Sequence, residues 1–486
     1  MAQGVAWMSA ARLAIRGLGL ISTFVLARLL GPEDFGLIAM ASAVIALADV
    51  LRAFSFDSAL LQRDAERSDY STAWTLNVLL GTGIGVLLAA GAPLVAAAYG
   101  DTRVTGILMV LAAAFAVGGF FNTGTVDFRK NLDFRRDFSL MVAQKVIAFV
   151  ATLALAFWLR SYWAMAFGSL VSALAGVLMS YVMHPLRPRF TLVSQRKLVN
   201  FSKWMLLSNF AAFLNSKTAD MALGRLGGAS VAGIFSVAND VATLATTELV
   251  APINRAVLPG YVRLAADPVE LRKAFAMVLG FIALVACPAA LGIGALSEPL
   301  VNLVLGAQWT ATIGLIQVLS VGAAMNAMLT NSVSVYLAVG RPNLIALMSA
   351  IHTCTLIPLL IGGILLNGAM GAAWGHLLQV AFVTMPTTYF LLVRFTPITV
   401  RDILGSIWRP VVAATIMAVA VRWLVDALGT ASSALPIQLV LGVVGGATIY
   451  TATTLVLWRA VGAPAGAERV ALDFLRTRIP RRLTAS

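Results

Sequence analysis

Arg12 and Arg16 stand four residues apart in a long apolar stretch, where a helix would set both guanidinium groups on one face. Asp49 and Arg52 follow in the next apolar stretch, then Lys145, then Lys217 with Asp220, then Asp240, Glu248 and Arg255. A charge at the centre of a membrane helix costs about 2.5 to 3.5 kcal/mol on insertion scales, so each of these residues needs a reason. For the cations Arg12, Arg16, Arg52, Lys145, Lys217 and Arg255 the chemistry is anion binding. Guanidinium forks take phosphate oxygens bidentately, and an ammonium adds a point charge where screening is weak. For Asp49, Asp220, Asp240 and Glu248 it is coupling to a proton or sodium gradient, because desolvation raises a carboxylate pKa while neighbouring cations lower it. Structural roles compete with these: Arg12 and Arg255 are close enough to the interface to snorkel, Lys217 and Asp220 can pair at i,i+3, and the carboxylates can simply neutralise cations. Arg16 and Lys145 lie deeper, where a hydrated cavity accounts for them.

The surroundings make these charges informative. With 60% hydrophobic and 12% charged residues, the chain has too little polar surface to coat a soluble particle. Apolar runs of eighteen or more residues, enough for a helix to cross a hydrocarbon core of about 30 Å and too long for strands, recur almost throughout. Spans are expected at 5–30, 35–61, 71–98, 104–126, 137–159, 161–183, 201–226, 230–257, 274–297, 311–338, 343–366, 369–393, 403–426 and 435–458. The expected class is an all-α polytopic membrane protein of about fourteen transmembrane helices. Met1 to Ala10 holds no basic residue, and the first apolar run continues past Phe24, so that segment is read as a span that stays and not as a cleaved signal. The net charge of +14 sits in clusters between the apolar runs, which excludes a nucleic-acid partner in favour of a membrane surface. Cys287 and Cys354 read as small core residues, with no disulfide or metal role. His352 and His376 read as helix-packing residues, and His184 marks a polar connection. No metal-ligand spacing, nucleophile elbow or phosphate-binding glycine loop occurs, so no catalysis and no cofactor are expected.

Charge placement sets an orientation. One side of the map holds only Arg28, Arg103, Arg160, Arg225 and Arg422, whereas the alternate connections carry Arg63 and Arg67, Arg129-Lys130 with Arg135-Arg136, and Arg187, Arg189, Arg196 and Lys197. The basic side, with both termini, is therefore expected to be cytoplasmic. An internal repeat gives the architecture. A shift of 197 lays Trp7 on Trp204, Arg28-Leu29 on Arg225-Leu226, Gly31 on Gly228, Gly36 on Gly233 and Val44 on Val241. A shift of 206 lays Pro93-Leu94-Val95 and Gly100 on Pro299-Leu300-Val301 and Gly306. Two parallel six-helix lobes are expected, 1–197 and 198–398, followed by two further helices in 399–460 and a basic cytoplasmic tail in 461–486. Arg469, Arg476, Arg478, Arg481 and Arg482 around Val470, Leu472, Phe474 and Leu475 would lie on an anionic leaflet or form an unstructured end. Gly81, Gly83 and Gly85, and Gly442 with Gly445-Gly446, are expected to permit close helix packing.

The run Ser22-Thr23-Phe24-Val25-Leu26-Ala27-Arg28-Leu29-Leu30-Gly31-Pro32-Glu33-Asp34-Phe35-Gly36, with Trp309 and with Gly340-Arg341-Pro342-Asn343, resembles the polysaccharide-transporter branch, the Wzx-type O-antigen and exopolysaccharide flippases, of the multidrug, oligosaccharidyl-lipid and polysaccharide exporter superfamily. The resemblance implies a V-shaped pair of six-helix lobes around a central cavity, alternating access, and an undecaprenyl-diphosphate-linked oligosaccharide as cargo. It also implies work alongside a polysaccharide polymerase and other assembly proteins. The diphosphate suits the cations already named, Arg16, Lys145 and Arg255 above all. A cation-coupled multidrug exporter of the same superfamily is the first alternative, but organic cations call for acidic or aromatic surfaces, and no carboxylate precedes Glu33. A membrane-embedded polysaccharide polymerase or ligase is the second, but no outer connection on this map is long enough to house a catalytic constellation.

Overall fold

The chain is seen in a computed structural model that describes residues 2–52, 60, 66–131, 133–429, 435–464 and 466–478. The side chains of some helical residues, among them Arg12, Arg52, Glu248 and Arg255, lie outside that description. Every described element is helical. In order they are α1 (Ala2–Leu29), α2 (Pro32–Arg52), α3 (Arg67–Tyr99), α4 (Arg103–Gly118), α5 (Val126–Lys130), α6 (Phe134–Leu159), α7 (Trp163–Met183), α8 (Gln195–Leu264), α9 (Pro268–Ala295), α10 (Ser297–Leu300), α11 (Thr312–Ala338), α12 (Pro342–Gln379), α13 (Met385–Phe395), α14 (Val400–Ala427), α15 (Leu435–Ala460) and α16 (Ala467–Arg478). Thirteen of the fourteen expected spans fall on helix in their described residues apart from one or two positions near their ends, whereas the expected span 104–126 is broken, because its helix stops at Gly118 and residues 119–122 leave the helical path. Two long helices carry breaks: α8 at Gly228 and α12 at Asn367 and Gly368, whose backbone angles leave the helical region. Among the described residues nine helices are long and apolar enough to cross a membrane, or ten if the pair Arg103–Gly118 and Thr123–Lys130, bent by 64°, is one span. Leu87, Leu94, Trp158, Leu366 and Phe382 are all highly exposed, as side chains facing hydrocarbon must be.

The chain forms two compact units, Met1–Ser236 and Val237–Ser486. In the first, α3 packs on α4, α6 on α7, α4 on α7, α1 on α6, and α2 on α4. Leu37, Met40, Ile107, Leu111 and Ala166 fill its largest core. Small residues set the spacing. A Cβ on Gly81 would lie 2.9 Å from the Cα of Gly119, and one on Gly85 would lie 2.9 Å from the Cβ of Ala116, so α3 and α4 touch nearly backbone to backbone. Gly83 meets nothing within 4 Å, because it lies on the other face of α3 and does no packing.

In the second unit, α9 is the central helix, against α11 and α14, with Phe275, Leu279, Ala283, Cys287, Val335 and Ile403 in its core. Cys287 is buried as expected, but Cys354 is exposed, because the face of α12 that bears it is not covered. Gly363 and Gly371 face each other backbone to backbone across the break in α12, which folds into two close-packed arms. Of the second glycine set, Gly442 abuts Leu296 and Gly446 has Val421 at 3.0 Å, whereas Gly445 has only Leu424 at 3.9 Å. Of the expected tail 461–486, residues 479–486, with Arg481 and Arg482, lie outside the described residues, and the helical part is docked on the unit. In α16, Glu468 pairs with Arg409 of α14 at 3.0 Å, both side chains are buried, and Ala467 packs beside Gly280.

Candidate functional site

The turn between α1 and α2 carries the most specific sequence motif, and each of its residues is tied. Asp34 accepts hydrogen bonds from the backbone N–H of Gly31 at 3.0 Å and of Tyr162 at 3.0 Å, so one carboxylate closes the start of α2 and joins it to the turn between α6 and α7. Glu33 pairs with Arg103 at 2.5 Å, and Arg103 reaches Asp101 at 2.7 Å, which links this turn to the one between α3 and α4. The hydrogen bonds from Arg103 hold the Asp101 carboxyl below its ordinary pKa. The repeat seen in the sequence then becomes a contact. A Cβ on Gly36 would run into the backbone of Ala229, and one on Gly233 would run into Pro32 and lie 2.7 Å from the nitrogen of Gly36. Under the 197-residue shift Gly36 corresponds to Gly233 and Pro32 to Ala229, so the two contacts are one contact made twice, as in a two-fold interface. The second repeat also has a backbone reason, because Gly100 (φ 75°) and Gly306 (φ 109°) both occupy the positive-φ region after helical segments.

The intramembrane charges differ in what holds them. Lys217 donates to Asp220 at 2.8 Å, with Asp220 buried and the ring of Tyr99 nearby, so these two largely neutralise each other. Lys145 on α6 is half-buried and has no hydrogen-bond or ion-pair partner among the described residues. Arg16 on α1 and Asp49 on α2 are exposed, as is Asp240 in the second unit, and each has electrostatic or hydrogen-bond company. Arg12, Arg52, Glu248 and Arg255 lie outside the described side chains. Lys217 and Asp220 are thus two predicted residues seen in direct contact.

Two features escaped the sequence. His184 is part of a joint rather than a mere loop marker: its Nδ1 accepts from the N–H of Leu186 at 3.2 Å, and its Nε2 faces Asp127 at 3.5 Å. Asp127 also accepts from the hydroxyl of Tyr70. In the second unit, apart from the Arg409 and Glu468 pair, the buried polar groups among the described residues are uncharged. Tyr261 donates to Asn331 at 3.0 Å, and Gln379 reaches Thr384 at 2.7 Å and His352 at 3.3 Å. His352 is therefore held by hydrogen bonds at the helix-packing position expected of it.

Comparison with known proteins agrees with the motif. The chain is 28% identical to the lipopolysaccharide biosynthesis protein WzxC of Escherichia coli (strain K12) over 84% of each chain. It is 26% identical to the succinoglycan biosynthesis transport protein ExoT of Rhizobium meliloti (strain 1021), over 99% of this chain and 96% of that one. Its fold is that of the lipid II flippase MurJ in an inward closed conformation, with a TM-score of 0.75 at 14% identity, over 94% of this chain and 99% of the other. The sequence profile of the polysaccharide biosynthesis protein family matches residues 25–314, more than half of the chain and inclusive of the Gly31 to Gly36 turn, and the chain belongs to that family.

Proposed function

We propose that this protein is a flippase, not an enzyme, that carries an undecaprenyl-diphosphate-linked oligosaccharide from the cytoplasmic to the outer leaflet of the bacterial plasma membrane during surface polysaccharide biosynthesis. The observation that carries this reading is the nearly end-to-end match to a relative named as a biosynthesis transport protein. The charges agree with it. Lys145, a half-buried cation without a described partner, and Arg16 on α1 provide positive charge for a diphosphate, with Arg12, Arg52 and Arg255 as further candidates and Lys217 engaged with Asp220. Asp49, Asp240 and Glu248 are the candidates for proton or sodium coupling. The connections that carry Arg129 and Arg187, and the one after Arg394, are cytoplasmic in this reading, as are both termini, and the Gly31 to Gly36 turn is at the outer end of its helices. Residues 1–197 and 198–398 act as the two lobes of an alternating-access carrier.

Deletion of the gene is expected to abolish the host's surface polysaccharide and to accumulate its lipid-linked precursor. Arg16→Ala or Lys145→Ala at normal protein level should lower export and raise the same precursor. Full export from both variants would remove the anion-binding role of these residues. Drug sensitivity with intact surface glycan would favour the multidrug exporter instead.

A further inference from the structure

A polar cavity in the first unit is lined by residues from three separate parts of the chain, none of them among the intramembrane charges named above. It has a volume of about 1130 Å³, larger than the roughly 300 to 1,000 Å³ usual for small-ligand sites. Arg67 at the start of α3, Lys130 at the end of α5, and Arg187 and Arg189 beyond α7 line it, against one carboxylate, Asp127. That carboxylate is already engaged by Tyr70 and His184, so it does not quench the cations. Arg67 and Arg189 have no side-chain partner among the described residues, an unusual state for two guanidinium groups over a shared cavity.

The walls are built rather than draped. The segment after α7 is stitched to α3 by bonds from the N–H of Thr191 to Thr75 at 3.1 Å and from the N–H of Ser194 to Thr72 at 3.4 Å. The buried Asn122 donates to the carbonyl of Leu186 at 2.9 Å. Arg187 is held against the carbonyls of His184 and Leu186 at 2.9 and 3.0 Å and lies 5.7 Å from the centre of the Tyr181 ring. The backbone that presents Arg189 is therefore fixed before any ligand arrives, which lowers the entropy lost on binding.

We propose that this cavity is a phosphate-binding site, in which Arg67 and Arg189 take phosphate oxygens in bidentate fashion while Lys130 and Arg187 supply additional charge. The ligand class is the phosphate or diphosphate head of a lipid. Two lipids present that chemistry at this face: an anionic phospholipid of the bilayer and a polyprenyl diphosphate carrier. The site goes beyond the flippase reading and is independent of the intramembrane cations.

The test uses the full chain in phosphatidylcholine nanodiscs, titrated calorimetrically with inorganic pyrophosphate. Arg67→Gln with Arg189→Gln is expected to weaken binding by about tenfold or more, the scale of lost charge-assisted hydrogen bonds, while Arg67→Lys with Arg189→Lys keeps most of it. Arg394→Gln, a cation exposed elsewhere, should leave binding unchanged. If the double Gln variant is not monodisperse, the single variants Arg67→Gln and Arg189→Gln replace it. Because Arg16 and Lys145 can hold a further diphosphate, the site is read from the change: affinity and stoichiometry unchanged in the double Gln variant, or reduced equally by Arg394→Gln, overturn it. Native mass spectrometry with phosphatidylglycerol or farnesyl diphosphate then identifies the source: the lipid whose bound copies fall from the wild type to the double Gln variant is the one the cavity takes, and an unchanged number of bound copies of both also refutes the proposal. Binding is read without flipping, so a chain that binds pyrophosphate here yet supports no export would count against the flippase reading and not against this site.

Discussion

Gly36→Ala inserts one methyl group into the contact between the start of α2 and the segment after Gly228. The new Cβ would stand 3.0 Å from the Cα of Ala229 and closer still to its carbonyl, where ordinary contact is 3.4 to 4 Å. The clashing atoms are all backbone, with the carbonyl oxygen of Ala229 at 1.6 Å, so no side chain can swing aside and the two segments must part by about 2 Å, an overpacking that costs roughly 1 to 3 kcal/mol. If the contact opens during transport, the methyl group penalises only the closed form and shifts the equilibrium about 5- to 150-fold toward the open one. A cysteine at the buried Ala229, in a Cys354→Ala background, reports this through its rate of labelling by a membrane-impermeant maleimide. Labelling should accelerate by that factor in Gly36→Ala, equally in Gly233→Ala, and not in Gly83→Ala, whose Cβ meets nothing within 4 Å. Unchanged labelling in Gly36→Ala, or acceleration in Gly83→Ala, would refute the reasoning. Export should fall in the first two variants, because a carrier that closes poorly at one end also cycles poorly.

Two further outcomes follow from buried charge. Glu468→Ala leaves the guanidinium of Arg409 buried without its partner, a change that typically costs about 3 to 5 kcal/mol, and α16 should release to relieve it. Limited proteolysis at Arg469 and Arg476 should become fast, Arg409→Met with Glu468→Leu should restore protection, and equal digestion of wild type and Glu468→Ala would contradict the docking. The His184 joint should weaken in acid. Burial holds this imidazole below its ordinary pKa of 6.5, Asp127 pulls it up, and Arg136 and Arg187 push it down. Its Nδ1 accepts a hydrogen bond that a protonated ring cannot accept. The folded state thus favours the neutral ring, and its stabilising contribution is complete above about pH 6.5 and lost as the pH falls from there through the lower folded value. Amide exchange over 184–191, corrected for intrinsic rates, should show easier opening at about pH 5.5 than at about pH 7.5, and His184→Gln should flatten the difference. An identical opening equilibrium at both values would rule the joint out as a titrating element.

The parts legible in the sequence are those that the bilayer or the backbone enforces locally. Span positions followed from apolar length, and the repeat showed through glycines because Gly36 and Gly233 are sites of backbone contact and Gly100 and Gly306 are positions of positive φ. Periodicity could have refined the glycine sets. Gly81 and Gly85, like Gly442 and Gly446, are four residues apart on one helix face, which leaves Gly83 and Gly445 outside the tight contacts. Spacing also suggested the Lys217 and Asp220 pair, since three residues on a helix bring two side chains together.

The cavity that gathers Arg67, Lys130, Arg187 and Arg189 was not legible, because its charges come from three connections that look like ordinary positive-inside clusters when each is read alone. Their convergence depends on uncharged residues of little individual signal: Asn122 holding the carbonyl of Leu186, Thr72 and Thr75 holding the backbone of Ser194 and Thr191, and His184 resting on Gly124. In a helical membrane protein a cluster of basic residues therefore says which side a connection faces, whereas the buried neutral residues that tie connections together decide whether those charges become a site. For this chain the distinction is measurable, because Asn122→Ala leaves every cation in place and removes a bond that shapes their wall. Pyrophosphate affinity should fall in that variant as it does on loss of the guanidinium groups, and unchanged affinity would mean that the cations act as a diffuse surface charge.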